Sequence, residues 1–215
     1  MKLNPQSFRL CNYPTHRHLR WVNYLEVQMK KGMIFIDGSN VYFDWTNANP
    51  GKQLDIEKYI NLVKAKYPDV EFKRTYYFTT ETPTNKSFIQ QINKIPYVET
   101  VCGHLQNKNI DLSKFSLSCS CGLPISGNAT MNVDKGTDVN IAVEMLKHAY
   151  NRTYELALLI SRDADFVGVI NIIKNLGCNV ELVLFEDSKS HAQELSKHVD
   201  DIKLIYKADY SSCEK

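Results

Sequence analysis

Apolar residues along this chain fall into short runs broken by polar turns, and the runs switch between two periods. Met33-Ile34-Phe35-Ile36 is continuously apolar and ends abruptly in Asp37-Gly38-Ser39-Asn40, which predicts a buried strand entering a tight turn. A short helix is expected over 40–46, and a polar loop over 47–53 around Pro50-Gly51. An amphipathic helix follows, opened by Asp55, with Ile56, Tyr59, Ile60 and Val63 on one face, and closed before Pro68. Residues 72–80, centred on Tyr76-Tyr77-Phe78, read as a strand. A helix beginning at Pro83-Thr84 carries Phe88, Ile92 and Ile95 at helical spacing, and a third strand is expected over 97–101.

Residues 102–132 break this rhythm. They are rich in Ser, Asn, Gly and Cys and read as an irregular insertion. Helical order resumes at Thr137, with Val139, Ala142, Val143 and Leu146 as the expected apolar stripe to about Tyr150. Residues 156–160 form a second unbroken apolar run, the signature of a strand buried on both faces, and it ends in Ser161-Arg162-Asp163-Ala164-Asp165. A helix through Phe166, Val169, Ile170 and Ile173 stops at Gly177; a strand (180–185), a helix (190–199), a strand (202–206) and a polar tail (207–215) complete the pattern.

Strands alternating with helices imply an α/β fold, a three-layer α/β/α sandwich with a mainly parallel central sheet. The reading divides the chain into an N-terminal extension (1–32), one domain (33–206) containing the insertion, and the tail. The strands ending at Asp37 and near Asp163 carry the same strand-to-helix turn. If they are neighbours where the strand order reverses, their carboxylates meet at the usual ligand site of an open α/β sheet.

Composition narrows the class. Hydrophobic residues make up 43% of the 215 residues, enough for a sizeable core and against global disorder. The net charge is only +2, but residues 1–32 hold six Lys or Arg against the single acid Glu26, so the basic character is concentrated there. In that segment Arg9, His16, Arg17, His18 and Arg20 mix with Tyr13, Trp21 and Tyr24. Such a mixture either grips phosphates and stacks on bases or is a loosely packed extension. No apolar run approaches the roughly 18 residues of a membrane span, so no membrane partner is expected. The N-terminus lacks the apolar centre of a secretory signal. Six cysteines are too few and too scattered for a disulfide scaffold, which points to a reducing, cytoplasmic setting.

The candidate chemistry lies in Asp37, Asp138, Asp163 and Asp165, with Asp134 and Glu144 nearby. Two carboxylates about 5 Å apart repel by roughly 3 kcal/mol at an effective dielectric of 20, so gathering several calls for protons or cations. Oxygen-only donors select hard ions, Mg²⁺ or Mn²⁺, and such a pocket suits phosphodiester hydrolysis. Taken singly, each acid reads equally well as a turn residue or a helix cap.

Three segments together, Ile36-Asp37-Gly38-Ser39-Asn40, Lys135-Gly136-Thr137-Asp138-Val139 and Ser161-Arg162-Asp163-Ala164-Asp165-Phe166, resemble the motifs of NYN-domain proteins, in order and across 33–206. These belong to the PIN-like ribonucleases, and the chain resembles the LabA-like branch. The resemblance implies metal-dependent RNA cleavage. It casts Asp37, Asp138, Asp163 and Asp165 as Mg²⁺ or Mn²⁺ ligands and Asn40 as orienting a ligand or the scissile phosphate. Ser39, Lys135 and Arg162, with Arg74 and the basic N-terminal segment, are then expected to contact the RNA. Many relatives of this kind have no demonstrated activity. Two departures stand out: Arg162 replaces a usual glycine, and Thr137, a good helix N-cap, replaces an apolar residue.

Cys102, His104, Cys119 and Cys121 supply four soft donors inside the insertion, in C-x-H and C-x-C spacings tighter than the usual zinc pattern. They form either a structural zinc site or an incidental set, with Cys102 at a strand end. Cys178 reads as core and His148 as surface or packing. No G-x-G-x-x-G or Walker A pattern is present, which argues against dinucleotide and nucleotide cofactors, and Ser39 stands where a haloacid-dehalogenase phosphatase needs its second Asp. The leading expectation is a metal-dependent ribonuclease. The alternatives are a non-catalytic RNA- or protein-binding regulator with this fold and a DNA-preferring nuclease. Homo-oligomer assembly stays open.

Overall fold

Seven strands form one sheet in the order β4-β3-β2-β1-β5-β6-β7: β1 (Lys30–Asp37), β2 (Val70–Thr80), β3 (Val98–Asp111), β4 (Asn128–Lys135), β5 (Leu156–Ile160), β6 (Asn179–Phe185) and β7 (Asp201–Ile205). All neighbouring pairs are parallel except β3 with β4. The computed structural model describes residues 29–115, 118–123 and 126–215. The expected extension 1–32 therefore lies outside the described residues up to Gln28, while Lys30 to Gly32 already pair with β2.

Strand periodicity builds two cores from one sheet. On β1, Ile34 and Ile36 face one side, and Met33 and Phe35 the other. On β5, Leu158 and Ile160 join the first side, and Ala157 and Leu159 the second. The first side is covered by α1 (Gly38–Ala48), α2 (Ile56–Ala65) and α3 (Lys86–Ile92), through residues such as Trp45, Tyr59 and Ile92. The second is covered by α4 (Thr137–Tyr150), α5 (Val167–Asn175) and the single turn α6 (Gln193–Ser196), through Ile141, Met145, Ile170 and Leu195. This is the expected three-layer architecture, and the expected elements recur with shifted ends.

Four details differ from the sequence reading. The insertion is not irregular: β3 runs on past the sheet, and residues 104–111 pair antiparallel with 128–135 to form a two-stranded arm. Helix α4 buries Thr137, Ile141, Met145 and Ala149, leaving Val139 and Val143 exposed. Its rotation is set at its first residue, because the Thr137 hydroxyl donates to Asp134 (2.9 Å) and meets that of Thr80 (3.3 Å). The expected helix over 190–199 is a 3₁₀ segment (Glu186–Ala192) followed by α6.

The polar tail, lastly, is part of the core. It forms α7 (Lys207–Tyr210), whose Tyr210 ring stands edge-on to Trp45 (5.7 Å) and Phe185 (5.1 Å), and Cys213 is buried beside it. The carbonyl of Cys213 accepts from the Asp55 N–H (2.8 Å), and Lys66 pairs with Asp209 (2.6 Å).

His148 has more partners than a surface residue. Thr153 Oγ1 donates to the His148 carbonyl (2.9 Å), so the 3.0 Å contact between that hydroxyl and Nδ1 requires Nδ1 to carry the proton. Nε2 faces both the Tyr76 hydroxyl (2.9 Å) and Glu144 (3.3 Å), and in the neutral ring it accepts from the tyrosine. Burial, assisted by Lys147, holds the imidazole below its ordinary pKa, with Glu144 opposing. The fold thus favours the neutral ring. Its contribution is complete above the ordinary histidine value and is lost as pH falls through that value toward the folded one.

Tyr210→Ala should cost about 3 kcal/mol in urea unfolding, as for a large aromatic lost from a packed core. Between pH 8 and 5, stability should fall in the wild type and fall less in His148→Gln, whose side chain does not titrate; equal slopes in the two proteins would contradict the assigned neutral tautomer.

Candidate functional site

The strand order reverses between β1 and β5: the chain builds outward from β1 to β4, then returns to β1's other side. These two strands pair in parallel, with Ile36 opposite Ile160, so the residues after them, Asp37 and Ser161, emerge side by side. The Ser161 hydroxyl donates to Asp37 Oδ2 (3.0 Å) and accepts from the Asp163 N–H (3.2 Å). One hydroxyl therefore joins the two acid-bearing turns.

Asp37 is only 2% exposed and is the N-cap of α1, accepting from the Asn40 N–H at 3.1 Å. The Asn40 side-chain amide donates to its other oxygen. Gly38 is required at the turn: a Cβ there would stand 2.5 Å from the Phe78 carbonyl oxygen, so the backbone passes β2 with no room for a side chain. Burial pushes the Asp37 carboxyl up, while the hydrogen bonds from Asn40, Ser161 and Ser39 pull the other way.

Asp163 is half-buried and caps the 3₁₀ turn Ala164–Phe166, accepting from the Asp165 N–H (2.9 Å); Asp165 is exposed. Asp138 lies in the first turn of α4, just after Gly136 with its positive φ of 89°. That end of α4 is fastened to β3 by Asn140, whose amide donates to the Cys102 carbonyl (3.3 Å). Burial raises the Asp138 carboxyl, and the fields of Asp37, Asp163, Asp134 and Asp165 raise it further. The acids from all three chain segments are thus felt at one carboxylate. Among the described residues none of Asp37, Asp138, Asp163 and Asp165 has a basic side chain at ion-pair distance.

The family-model comparison covers this whole arrangement: the NYN domain matches residues 31–205. The chain belongs to the NYN-domain family. NYN domains are part of the PIN-like nuclease superfamily and are generally nucleases, so a nucleic acid is the substrate class the family suggests. The fold of this NYN domain is similar to the crystal structure of a protein of unknown function from Vibrio parahaemolyticus, with a TM-score of 0.57 and 17% identity over 85% of this chain and 96% of that one. No curated protein matches the chain. No helix among the described residues is long and apolar enough to cross a membrane.

Two expected roles in the NYN domain are redistributed. Arg162 does not stand free beside the acids: its Nε donates to Asn40 Oδ1 (3.0 Å) and its Nη1 pairs with Asp44 (2.8 Å). Asn40, with its amide given to Asp37 and its carbonyl oxygen to Arg162, orients a buried carboxylate. Asp44 is the residue that sequence reasoning missed. It is 9% exposed; burial raises its carboxyl, while Ser188, Arg162 and His191 lower it. The available signal was its place on the same face of α1 as Val41, Trp45 and Ala48, where an acid needs a partner. Ser39 and Lys135 are exposed, and Arg74 pairs with Glu99 (3.4 Å).

The zinc reading is overturned. Cys119 and Cys121 are joined to each other as a disulfide, so neither sulfur is a thiolate donor. His104 is exposed on the arm and Cys102 is partly buried with a free thiol. Antiparallel pairing with β4 orders the polar arm, in keeping with the alternative that the four donors are an incidental set.

Arg162→Ala should cost about 2 to 3 kcal/mol in urea unfolding, because it strands a buried carboxylate; the figure sits below that for a fully buried pair because Arg162 is 26% exposed. Asp44→Asn in the same background should recover part of the loss, and strict additivity of the two changes would contradict the pairing.

Proposed function

We propose that this NYN domain is a divalent-metal-dependent ribonuclease of the LabA-like type, hydrolysing RNA phosphodiester bonds at Asp37, Asp138, Asp163 and Asp165. The observation that carries the reading is the Ser161 hydroxyl joining Asp37 to the Asp163 turn where the strand order reverses, with no basic side chain at ion-pair distance among the described residues; burial first and the neighbouring acids next raise the Asp138 carboxyl beside them. The donor set is all oxygen, which fits Mg²⁺ or Mn²⁺ in chemistry. Among the described residues, no three His, Cys, Asp or Glu side chains are already spaced as metal ligands, and Asp163 is turned toward the N–H of Asp165. An ion held there supplies Lewis acidity toward a phosphoryl oxygen and screens the carboxylates from an RNA phosphate.

The chain's own residues prepare the rest. Ser161 and Asn40 fix the orientation of Asp37, and the dry surroundings of Asp37 strengthen its attraction for a cation. Asp165 and Asp138, both exposed, form the rim that a phosphate would meet. Ser39, at the exposed first turn of α1, and Lys135, at the end of β4, flank that rim and contact the backbone. The engagement of both Asp37 oxygens in hydrogen bonds favours, as a second reading, a non-catalytic RNA-binding regulator.

Purified protein incubated with labelled RNA should cleave it with Mn²⁺ or Mg²⁺, stop on addition of chelator, and lose about a hundredfold or more in rate in Asp163→Asn. Parallel DNA substrates should be cut more slowly. Chelator-insensitive cleavage, or equal rates in the mutant, would rule out the proposed chemistry; RNA binding with no cleavage under any metal would select the regulator.

A further inference from the structure

A cleft of about 970 Å³ lies between α1, the loop at Gly51 to Leu54, the end of β2 and α3. It begins at Gly38 and Ser39, the residues directly after Asp37, so one end opens at the mouth of the acid cluster. Its lining is the reverse of that cluster. In a chain with nearly equal numbers of acids and bases, no Asp or Glu lines the cleft, whereas Lys52 and Lys215 do. Between these ends stand the Phe88 ring, the Ser87 hydroxyl and the Gln91 amide. Tyr42 borders it with a ring that is 62% exposed and rests edge-on against Phe43.

An exposed aromatic beside a groove lined by two lysines and no Asp or Glu, with Glu214 at its edge on Lys52, fits a ligand that is anionic along its length and carries flat apolar faces. A single-stranded nucleic acid has both properties. A duplex has the charge, but its base faces are already stacked and unavailable to Tyr42. An acidic peptide has the charge without the faces. Both cations are held loosely: Lys52 pairs with Glu214 (2.6 Å) with both side chains largely exposed, and Lys215 donates to Gln91 (3.2 Å). Pairs this exposed exchange readily for a phosphate.

We infer that the cleft holds the single-stranded RNA segment adjoining the phosphate at the acid cluster, with a base stacked on Tyr42 and the backbone running toward Lys52 and Lys215. The position next to a scissile phosphate rests on the ribonuclease reading; the binding itself does not.

The experiment is fluorescence anisotropy of the full chain with a labelled oligouridylate of about ten nucleotides, in chelator so that nothing is cut. Tyr42→Ala should weaken binding by between about fivefold and a hundredfold, the range for loss of one stacked base. Gln91→Glu, which places a carboxylate in the cleft, should weaken it as well, and more so at low salt. Tyr42 and Gln91 are both exposed, so thermal melts should be unchanged. Tyr150→Ala, whose ring on α4 is 77% exposed, should bind as the wild type does. Wild-type affinity in both cleft variants, equal affinity for duplex RNA, or displacement by an acidic peptide as effective as by RNA would each overturn the inference. Tyr42-dependent binding in a protein that cleaves no RNA supports the cleft and removes only the ribonuclease reading. Metal-dependent cleavage unaffected by either cleft substitution removes only the cleft.

Discussion

A carboxylate shut away from water without a cation beside it is the constraint on which this NYN domain turns. Asp37 sits at the end of the central strand with 2% exposure, and its stabilisation comes from neutral donors: the Ser161 hydroxyl, the Asn40 amide and backbone N–H groups. Those donors are in place only if β1 and β5 are neighbours in the observed register, if Gly38 lets α1 start against β2, and if Asn40 is held from behind by Arg162. The topology, the glycine and the ion pair with Asp44 all converge on one side chain.

The same logic separates two negative groups that lie close together. Asp44, on the helix that Asp37 caps, is neutralised by Arg162 and leans on Ser188. Asp37 is left with uncharged partners. A buried ion pair is costly to desolvate, and its value here is less in net stability than in fixing Asn40 toward the site. The Arg162 guanidinium faces inward and serves the architecture of the acid cluster.

Much of this was legible in the chain. Strands whose apolar runs stop dead at an acid marked the ends of β1 and β5, and the alternation of periods gave the three layers. The neighbouring placement of the two strands was a condition the sequence left open, and the β1–β5 pairing meets it. What could not be read has physical reasons. Asp44 lies on a helix, where an acid ordinarily faces solvent, and only its spacing from Val41 and Trp45 betrays burial. In the arm, Ala129, Met131 and Val133 do alternate with Thr130, Asn132 and Asp134, but residues 104–111 show no matching alternation and the surrounding Ser, Asn, Gly and Cys hide the signal; the arm is held by its backbone ladder and a Thr130–Asn109 bond. Helix α4 has apolar residues on more than one face, and the bond from Thr137 to Asp134, invisible in a periodicity, chooses which face turns inward. The tail looked polar because its two buried residues, Tyr210 and Cys213, stand among two lysines, two serines, Asp209 and Glu214.

The docking of that tail has a practical consequence. With Tyr210 inserted between Trp45 and Phe185, and Leu54 bridged to Glu214, the chain is led back to the first helical layer, and Lys215 arrives at the border of the cleft beside α1. Anything appended after Lys215, an affinity handle included, would leave from that border and crowd its opening.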